Sequence, residues 1–356
     1  MNFETIRNTI IKEQADAAFI TSIENRFYFT RFNATDGCYY LITPTKTVLF
    51  ADSRYIEAAG KAAVNCDEIL LFKTLADSVK PVLEAFGVNR IITESERMTV
   101  SMLGRLNKAC EKEFAASQEL DDAIDALRSV KCDEEVALIK KAQGIAEKAF
   151  DHILTFIKPG VTEREIGLEL DYFMLRNGAD ALSFETIAVS GANSSLPHGV
   201  PTDKKIVRGD FITMDYGAVC GGYHSDMTRT IAVGEVSDEQ RRIYETVLKA
   251  QLAAFDTIKA GVACRDVDAA ARAVIENAGY GENFGHGLGH GVGVEIHEAP
   301  TVSPRGTALL EVGNIITNEP GIYLEGKFGV RIEDMALVTE TGYVNLTTCT
   351  KELIVL

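Results

Sequence analysis

At 356 residues, with 46% apolar and 25% charged side chains, the chain is an ordinary globule but long for one hydrophobic core, so two domains are expected. A formal net charge of −16 argues against nucleic acid or an anionic membrane as partner, and suits cations or ligands that carry an amino group. No run of about 18 apolar residues exists to cross a bilayer, and Met1-Asn-Phe-Glu-Thr-Ile-Arg7 lacks the basic and apolar regions of a secretory signal, so the expected location is the cytoplasm. Seven cysteines, an odd number without a C-x-x-C pair, point to reduced thiols rather than a disulfide framework or a zinc knuckle.

In chain order, the first third alternates short strands with helices. Strands are predicted over 17–21, 26–30, 38–43, 46–51, 68–72 and 90–93, and helices over 75–86 and 99–109. This is an α/β domain. The acidic stretch Glu119–Asp125 leads into a helix from Asp133, whose apolar stripe Val136, Ile139, Ala142, Ala146, Ala149 and Ile153 runs on until Lys158-Pro-Gly160 stops it. The expected domains are 1–125 and 126–356.

The second domain contains an internal repeat. Ile157-Lys-Pro-Gly-Val-Thr-Glu-Arg-Glu-Ile166 aligns with Ile258-Lys-Ala-Gly-Val-Ala-Cys-Arg-Asp-Val267, each copy between two helices. Thr162 with Glu165 forms a capping box for the helix after the first copy, and Ser237 with Gln240 starts the helix before the second. Each copy leads into a histidine-bearing segment and then an acidic hairpin. The second domain therefore reads as a duplicated α+β unit with pseudo-twofold symmetry and a site on the axis.

The chemistry sits in those hairpins. A turn through Cys220-Gly221 would set Asp215 opposite Asp226, with β-carbons roughly 4.5–5.5 Å apart, where two carboxylates repel unless a proton or cation lies between them. A second hairpin folded about Gly326 would bring Glu319 opposite Glu333 and set Arg331 on the face of Glu333. Between them Gly285-His-Gly-Leu-Gly-His-Gly-Val-Gly293 reads as a strand so poor in side chains that ions or backbone can approach closely, with His290 as a ligand. One imidazole and four carboxylates suit Mn²⁺, Co²⁺, Fe²⁺ or Zn²⁺ and exceed what one tetrahedral ion needs, so two ions are expected. His286 has no ligand slot left and is assigned structural support, His224 is a possible partner to the first hairpin, and His152 is peripheral.

These residues resemble the pita-bread metallopeptidases, family M24, and the whole chain resembles their two-domain bacterial members, the Xaa-Pro aminopeptidases and proline dipeptidases. The motifs are Met-Asp-Tyr-Gly at 214–217, His-Gly-Leu-Gly-His-Gly at 286–291 and Asn-Glu-Pro-Gly at 318–321, with Asp52-Ser-Arg-Tyr55 in a creatinase-type N-terminal domain. The resemblance implies a dinuclear metal site, most often manganese, with cobalt or zinc as alternatives, on Asp215, Asp226, His290, Glu319 and Glu333. It implies that Asp226 and Glu333 bridge the ions, and that His198, His297 and Arg331 bind substrate and transition state, with Glu319 also shuttling a proton. It further implies short proline-containing peptides as substrates and a homodimer. Arg331 can equally be read as an ion-pair partner of Glu333.

Some proline dipeptidases of the family carry an Arg after the proline of His-Glu-x-Pro, where it grips a dipeptide's terminal carboxylate. Here the segment is His297-Glu-Ala-Pro-Thr301, with Arg305 close but displaced. The expectation is therefore an Xaa-Pro aminopeptidase, with an Xaa-Pro dipeptidase as first alternative. A creatinase-like amidinohydrolase and a non-catalytic pita-bread binding protein are the rivals, both disfavoured by the intact five-ligand set.

Overall fold

The computed structural model describes residues 3–356, which form two compact units, the first ending at Arg128 and the second running Ser129–Leu356. In the first, β1 (Ala17–Ile20), β2 (Cys38–Ile42), β3 (Thr47–Ala51), β4 (Glu68–Leu71), β5 (Arg90–Glu94) and β6 (Glu113–Ser117) make one sheet in the order β4-β3-β2-β1-β5-β6. Helices α1 (Glu4–Lys12), α2 (Ile23–Thr30), α3 (Ile56–Ala62), α4 (Lys80–Ala85), α5 (Val100–Cys110) and α6 (Gln118–Ser129) accompany it. Phe19, Leu41, Phe50, Ile91 and Leu106 pack into its core.

One expectation fails here. Residues 26–30 are not a strand but the body of α2, which Ser22 caps by accepting from the Asn25 N–H at 3.3 Å. Eight residues of mostly buried side chains have no readable period, because a short apolar run fits either element. Asn25 through Thr30 are all buried, and Arg26 spends its Nη1 on the Cys38 carbonyl at 2.9 Å. The acidic stretch 119–125 is likewise helical, in α6: Leu120 and Ile124, four apart, are buried, while Asp121 accepts from the Ser95 N–H at 2.8 Å.

The second unit has α7 (Asp133–Phe156), α8 (Glu163–Arg176), α9 (Asp238–Phe255) and α10 (Cys264–Asn277). Both expected capping boxes are present: Glu165 accepts from the Thr162 N–H at 2.7 Å, and Gln240 from the Ser237 N–H at 2.9 Å. The repeat is visible in the backbone, since Thr162 bridges Lys205 and the equivalent Ala263 bridges Leu309. Each copy has its own core. Ala142, Ala146, Ile166 and Leu170 pack on Ile212 and Met227 in the first, and Val247, Ala250, Val267 and Ala271 pack on Ile316 and Val330 in the second.

The strands of the first copy are β7 (Ala181–Leu182), β8 (Ile187–Ser190), β9 (Phe211–Tyr216), β10 (Ala218–Cys220), β11 (Tyr223–His224) and β12 (Met227–Ala232). Those of the second are β13 (Gly289–Gly291), β14 (Glu298–Val302), β15 (Ile315–Asn318), β16 (Gly321–Leu324), β17 (Phe328–Arg331), β18 (Asp334–Val338) and β19 (Tyr343–Asn345). They form the sheets β12-β9-β8, β11-β10-β7, β14-β13-β15-β18-β19 and β16-β17. The copies meet where Glu333 N–H donates to the Thr228 carbonyl at 3.1 Å and Arg331 N–H to Thr230 Oγ1 at 3.2 Å. All seven cysteines are free thiols. Among the described residues no helix is long and apolar enough to cross a membrane.

Candidate metal centre

The first hairpin turns one residue later than the sequence suggests. Gly221 and Gly222 both have positive φ, 58° and 77°, the conformation a two-residue hairpin loop requires and glycine adopts without steric cost. The register then pairs Asp215 with Thr228, and leaves Asp226 as its diagonal rather than direct neighbour. In the second hairpin Gly321 pairs with Arg331 and Asn318 with Asp334, so Glu319 and Glu333 fall opposite each other, as expected, in the gap between the two ladders.

Only Gly289–Gly291 of the glycine-rich segment is a strand. A Cβ on Gly289 would lie 2.2 Å from the Thr317 carbonyl oxygen, and one on Gly291 would lie 2.2 Å from that of Ala299. The glycines thus let the backbones of β15 and β14 close in on either side of His290.

All eight singled-out residues, Asp215, Asp226, His290, Glu319, Glu333, His198, His297 and Arg331, line one cavity of about 700 Å³. The Nδ1 of His290 lies 3.0 Å from the Gly291 carbonyl, which can only accept, so Nδ1 carries the proton and Nε2 faces the carboxylates. Nε2 is 3.6 Å from Asp226 Oδ2 and 3.4 Å from Glu319 Oε1. One ligand atom each from Asp226, His290 and Glu333 lie within 4.8 Å of one another, so these three could hold an ion, with Asp215 and Glu319 beside them.

The electrostatics fit a cation. Burial, and then the neighbouring carboxylates Glu333, Asp215 and Glu319, push Asp226 well above the usual carboxylate range; burial and the charges of Glu319 and Asp215 do the same to Glu333. Burial also opposes ionisation of Glu319, but the hydrogen bond and charge of His290 outweigh it and bring Glu319 down to about 2. Burial works against charging His290 too, and the same contact with Glu319 lifts it on balance. Oδ1 of Asp215 and Oδ1 of Asp226 are buried with no hydrogen-bond partner, a costly state for a carboxylate oxygen that a metal ligand bond would relieve.

Surrounding groups fix this cluster. Arg331 pairs with Asp215, not with Glu333 as the hairpin alone suggested, because Thr228 stands between: it donates to Glu333 Oε2 at 2.7 Å and accepts from Arg331 Nε at 3.1 Å. Arg331 Nη1 donates to the Tyr323 hydroxyl at 2.8 Å, and that oxygen lies 3.0 Å from His286 Nε2. Burial lowers the His286 pKa, so its neutral ring accepts from Tyr323 and ends the chain. Thr317 Oγ1 donates to Glu319 Oε1 at 3.0 Å and accepts from the His290 N–H at 3.1 Å. Thr228, Thr317 and Tyr323 escaped the sequence reading; their even spacing from Asp226 or Glu319 was the available signal.

His198 and His297 stand exposed in the cavity. The His297 ring is 4.3 Å from that of His290, and burial followed by the His290 charge lowers its pKa, so it is neutral near pH 7. The loop carrying His198 is organised by the buried Glu163, which accepts from the Ser190 N–H at 2.7 Å and the Thr202 N–H at 3.1 Å, another residue the sequence did not reveal. His224 supports the first hairpin, its Nδ1 2.9 Å from Ser183 Oγ, whereas His152 pairs with Glu169 at 2.6 Å outside the cavity lining.

A two-domain α/β plus α+β chain with a carboxylate-rich centre on its internal repeat defines a class, the metallopeptidases of pita-bread fold. Residues 137–340 match the model of metallopeptidase family M24, and residues 3–130 match that of the creatinase/prolidase N-terminal domain. The chain belongs to metallopeptidase family M24. It is 39% identical to an Xaa-Pro dipeptidase of Pyrococcus furiosus, over 95% of each chain. Among solved structures it is similar to an Xaa-Pro dipeptidase from Bacillus anthracis, 42% identical with a TM-score of 0.95 over 99% of each chain. An X-Pro aminopeptidase from Thermotoga maritima is 37% identical with a TM-score of 0.90, over 98% of this chain and 100% of that one.

Proposed function

We propose that this chain is a dinuclear metal-dependent Xaa-Pro dipeptidase. The reading is carried by the convergence of four carboxylates and His290 Nε2 in one cavity, with buried carboxylate oxygens that lack partners. Asp215, Asp226, His290, Glu319 and Glu333 would hold two divalent ions, manganese first and cobalt or zinc next by donor chemistry. Bound there, the ions supply Lewis acidity and an acidified water. Glu319 receives a proton and carries it to the departing proline nitrogen, since an amine leaves poorly until protonated. Neutral His297 donates to the oxyanion as charge develops, and His198, which lines the same cavity, orients the peptide. Arg331, paired with Asp215, would keep that carboxylate aimed at a bound cation, and Thr228 would do the same for Glu333.

The dipeptide preference is supported by the relatives named Xaa-Pro dipeptidase, and it displaces the aminopeptidase expectation drawn from Thr301. The aminopeptidase remains the second reading, favoured by Thr301 itself. We place the enzyme in the cytoplasm as a homodimer, in keeping with the family resemblance. Hydrolysis of an Xaa-Pro dipeptide and an Xaa-Pro-Yaa tripeptide by chelated enzyme reloaded with Mn²⁺, Co²⁺ or Zn²⁺ separates the readings. Faster turnover of the dipeptide is expected; preference for the tripeptide would make it an aminopeptidase, and inactivity with every metal would reject both.

A further inference from the structure

The cavity is lined by two arginines, and only one has donors to spare. Arg331 is committed: Nε to Thr228, Nη1 to Tyr323 and to the Pro197 carbonyl at 3.2 Å, and Nη2 to Asp215. Arg305 is exposed, lines the same cavity, and makes no hydrogen bond or ion pair among the described residues. Apart from histidines, every other ionisable group on the wall is a carboxylic acid. A ligand carboxylate therefore meets Arg305 as the one uncommitted guanidinium.

The backbone holds Arg305 there. Gly306 N–H donates to the Ser303 carbonyl at 2.9 Å, and Arg265 N–H at the start of α10 donates to the Gly306 carbonyl at 3.0 Å. A Cβ on Gly306 would lie 2.4 Å from the Thr301 carbonyl oxygen, so the loop folds back until Gly306, next in the chain to Arg305, packs against residue 301. Thr301 also lines the cavity but offers no positive charge. A guanidinium fork matches a carboxylate through two parallel hydrogen bonds, which a hydroxyl cannot do.

We propose that Arg305 is a specificity-determining residue, its guanidinium gripping the free C-terminal carboxylate of a two-residue substrate. The proposal rests on the dipeptidase reading for its substrate, though the contact itself can be tested apart from it. With Mn²⁺-loaded enzyme, kcat/KM is measured for Ala-Pro and for its C-terminal amide. The acid-to-amide ratio should fall about 10- to 100-fold in Arg305→Ala, the range for a charge-assisted hydrogen bond. It should fall less in Arg305→Lys and recover in the double variant Thr301→Arg/Arg305→Ala. Calorimetric binding of L-proline and L-prolinamide to the same holoenzymes reads the contact without turnover. A ratio unchanged in Arg305→Ala, or equal affinity of wild type for proline and prolinamide, overturns the assignment. A wild-type enzyme that cleaves only tripeptides, yet loses its proline preference in Arg305→Ala, keeps the clamp and rejects the dipeptidase reading.

Discussion

Asp226 is buried among Glu333, Asp215 and Glu319, and its carboxyl is held far above the ordinary range by that burial and those charges. A group so placed destabilises the metal-free fold and is retained for what it binds. Asp226→Asn keeps the shape and removes the charge. It should raise the melting temperature of the chelated protein by a few degrees, the response to about 1 kcal/mol in a domain of this size, while metal content falls and kcat/KM drops more than ~100-fold. Calorimetry of the chelated variant and elemental analysis of the reloaded one check the two halves; a chelated variant less stable than wild type would mean the carboxylate is structural. Glu333→Gln should behave alike in metal content and turnover but gain less stability, because Thr228 donates to Glu333 and would lose a charged acceptor. Neighbouring charge thus sorts two similar carboxylates.

Elements position these residues through backbone contacts that side-chain patterns hide. Gln251 of α9 is fully buried and donates from Nε2 to the carbonyls of Asn318 at 3.2 Å and Ile332 at 3.3 Å, each immediately preceding a candidate ligand. One amide thereby sets the spacing of Glu319 from Glu333. Gln251→Leu would strand two buried carbonyls, costing about 1–3 kcal/mol, and should weaken metal binding as seen in the Mn²⁺ concentration that half-restores activity. A variant with lowered stability and unchanged Mn²⁺ response would show that the clamp serves only packing. Gly289→Ala tests the other flank: its Cβ would collide with the Thr317 carbonyl, forcing β13 from β15 at about 1–3 kcal/mol and moving His290, so stability and metal affinity should fall together. The second hairpin was legible because Gly326 and the acidic pair sit symmetrically about its centre, whereas the first was misread by a residue because both Gly221 and Gly222 could open the turn. Helix α2 was missed because its buried faces include both sides, leaving neither period to read.

At the scale of the whole molecule, the five candidate ligands were readable as one cluster because mirrored hairpins and a glycine-framed histidine mark them, and all five line one cavity, yet their support was not: Thr228, Tyr323 and Gln251 are ordinary residues, and Thr228 reaches Glu333 only once the two copies of the repeat meet. The same meeting makes stability depend on pH. Asp226 and Glu333 are raised above the ordinary carboxylate values of about 4, so the metal-free fold holds protons that the unfolded chain has already lost, and stability falls as pH climbs from there. His290, raised by Glu319, acts in the same direction: its contribution is present below about pH 6.5 and lost above it. Glu319, lowered to about 2, contributes oppositely, its stabilisation present above about pH 4.3 and lost as pH falls toward 2. Metal-free stability contributed by the centre should therefore peak near pH 4–5 and decline toward neutrality. Divalent cations compete with those protons, so their stabilisation grows over the same interval. At neutral pH and a free Mn²⁺ concentration 100 times its Kd, the gain should be about 2.7 kcal/mol, or roughly 5–10 °C. Asp121, Asp125 and Asp171, which are not part of the cavity lining, are also raised by burial and bend both curves equally. The gap between metal-loaded and chelated melting temperatures at pH 5, 6, 7 and 8 is then the measurement that isolates the centre. It should widen steadily with pH in wild type and flatten in Asp226→Asn; a gap independent of pH would mean that the ions bind without displacing protons from these carboxyls.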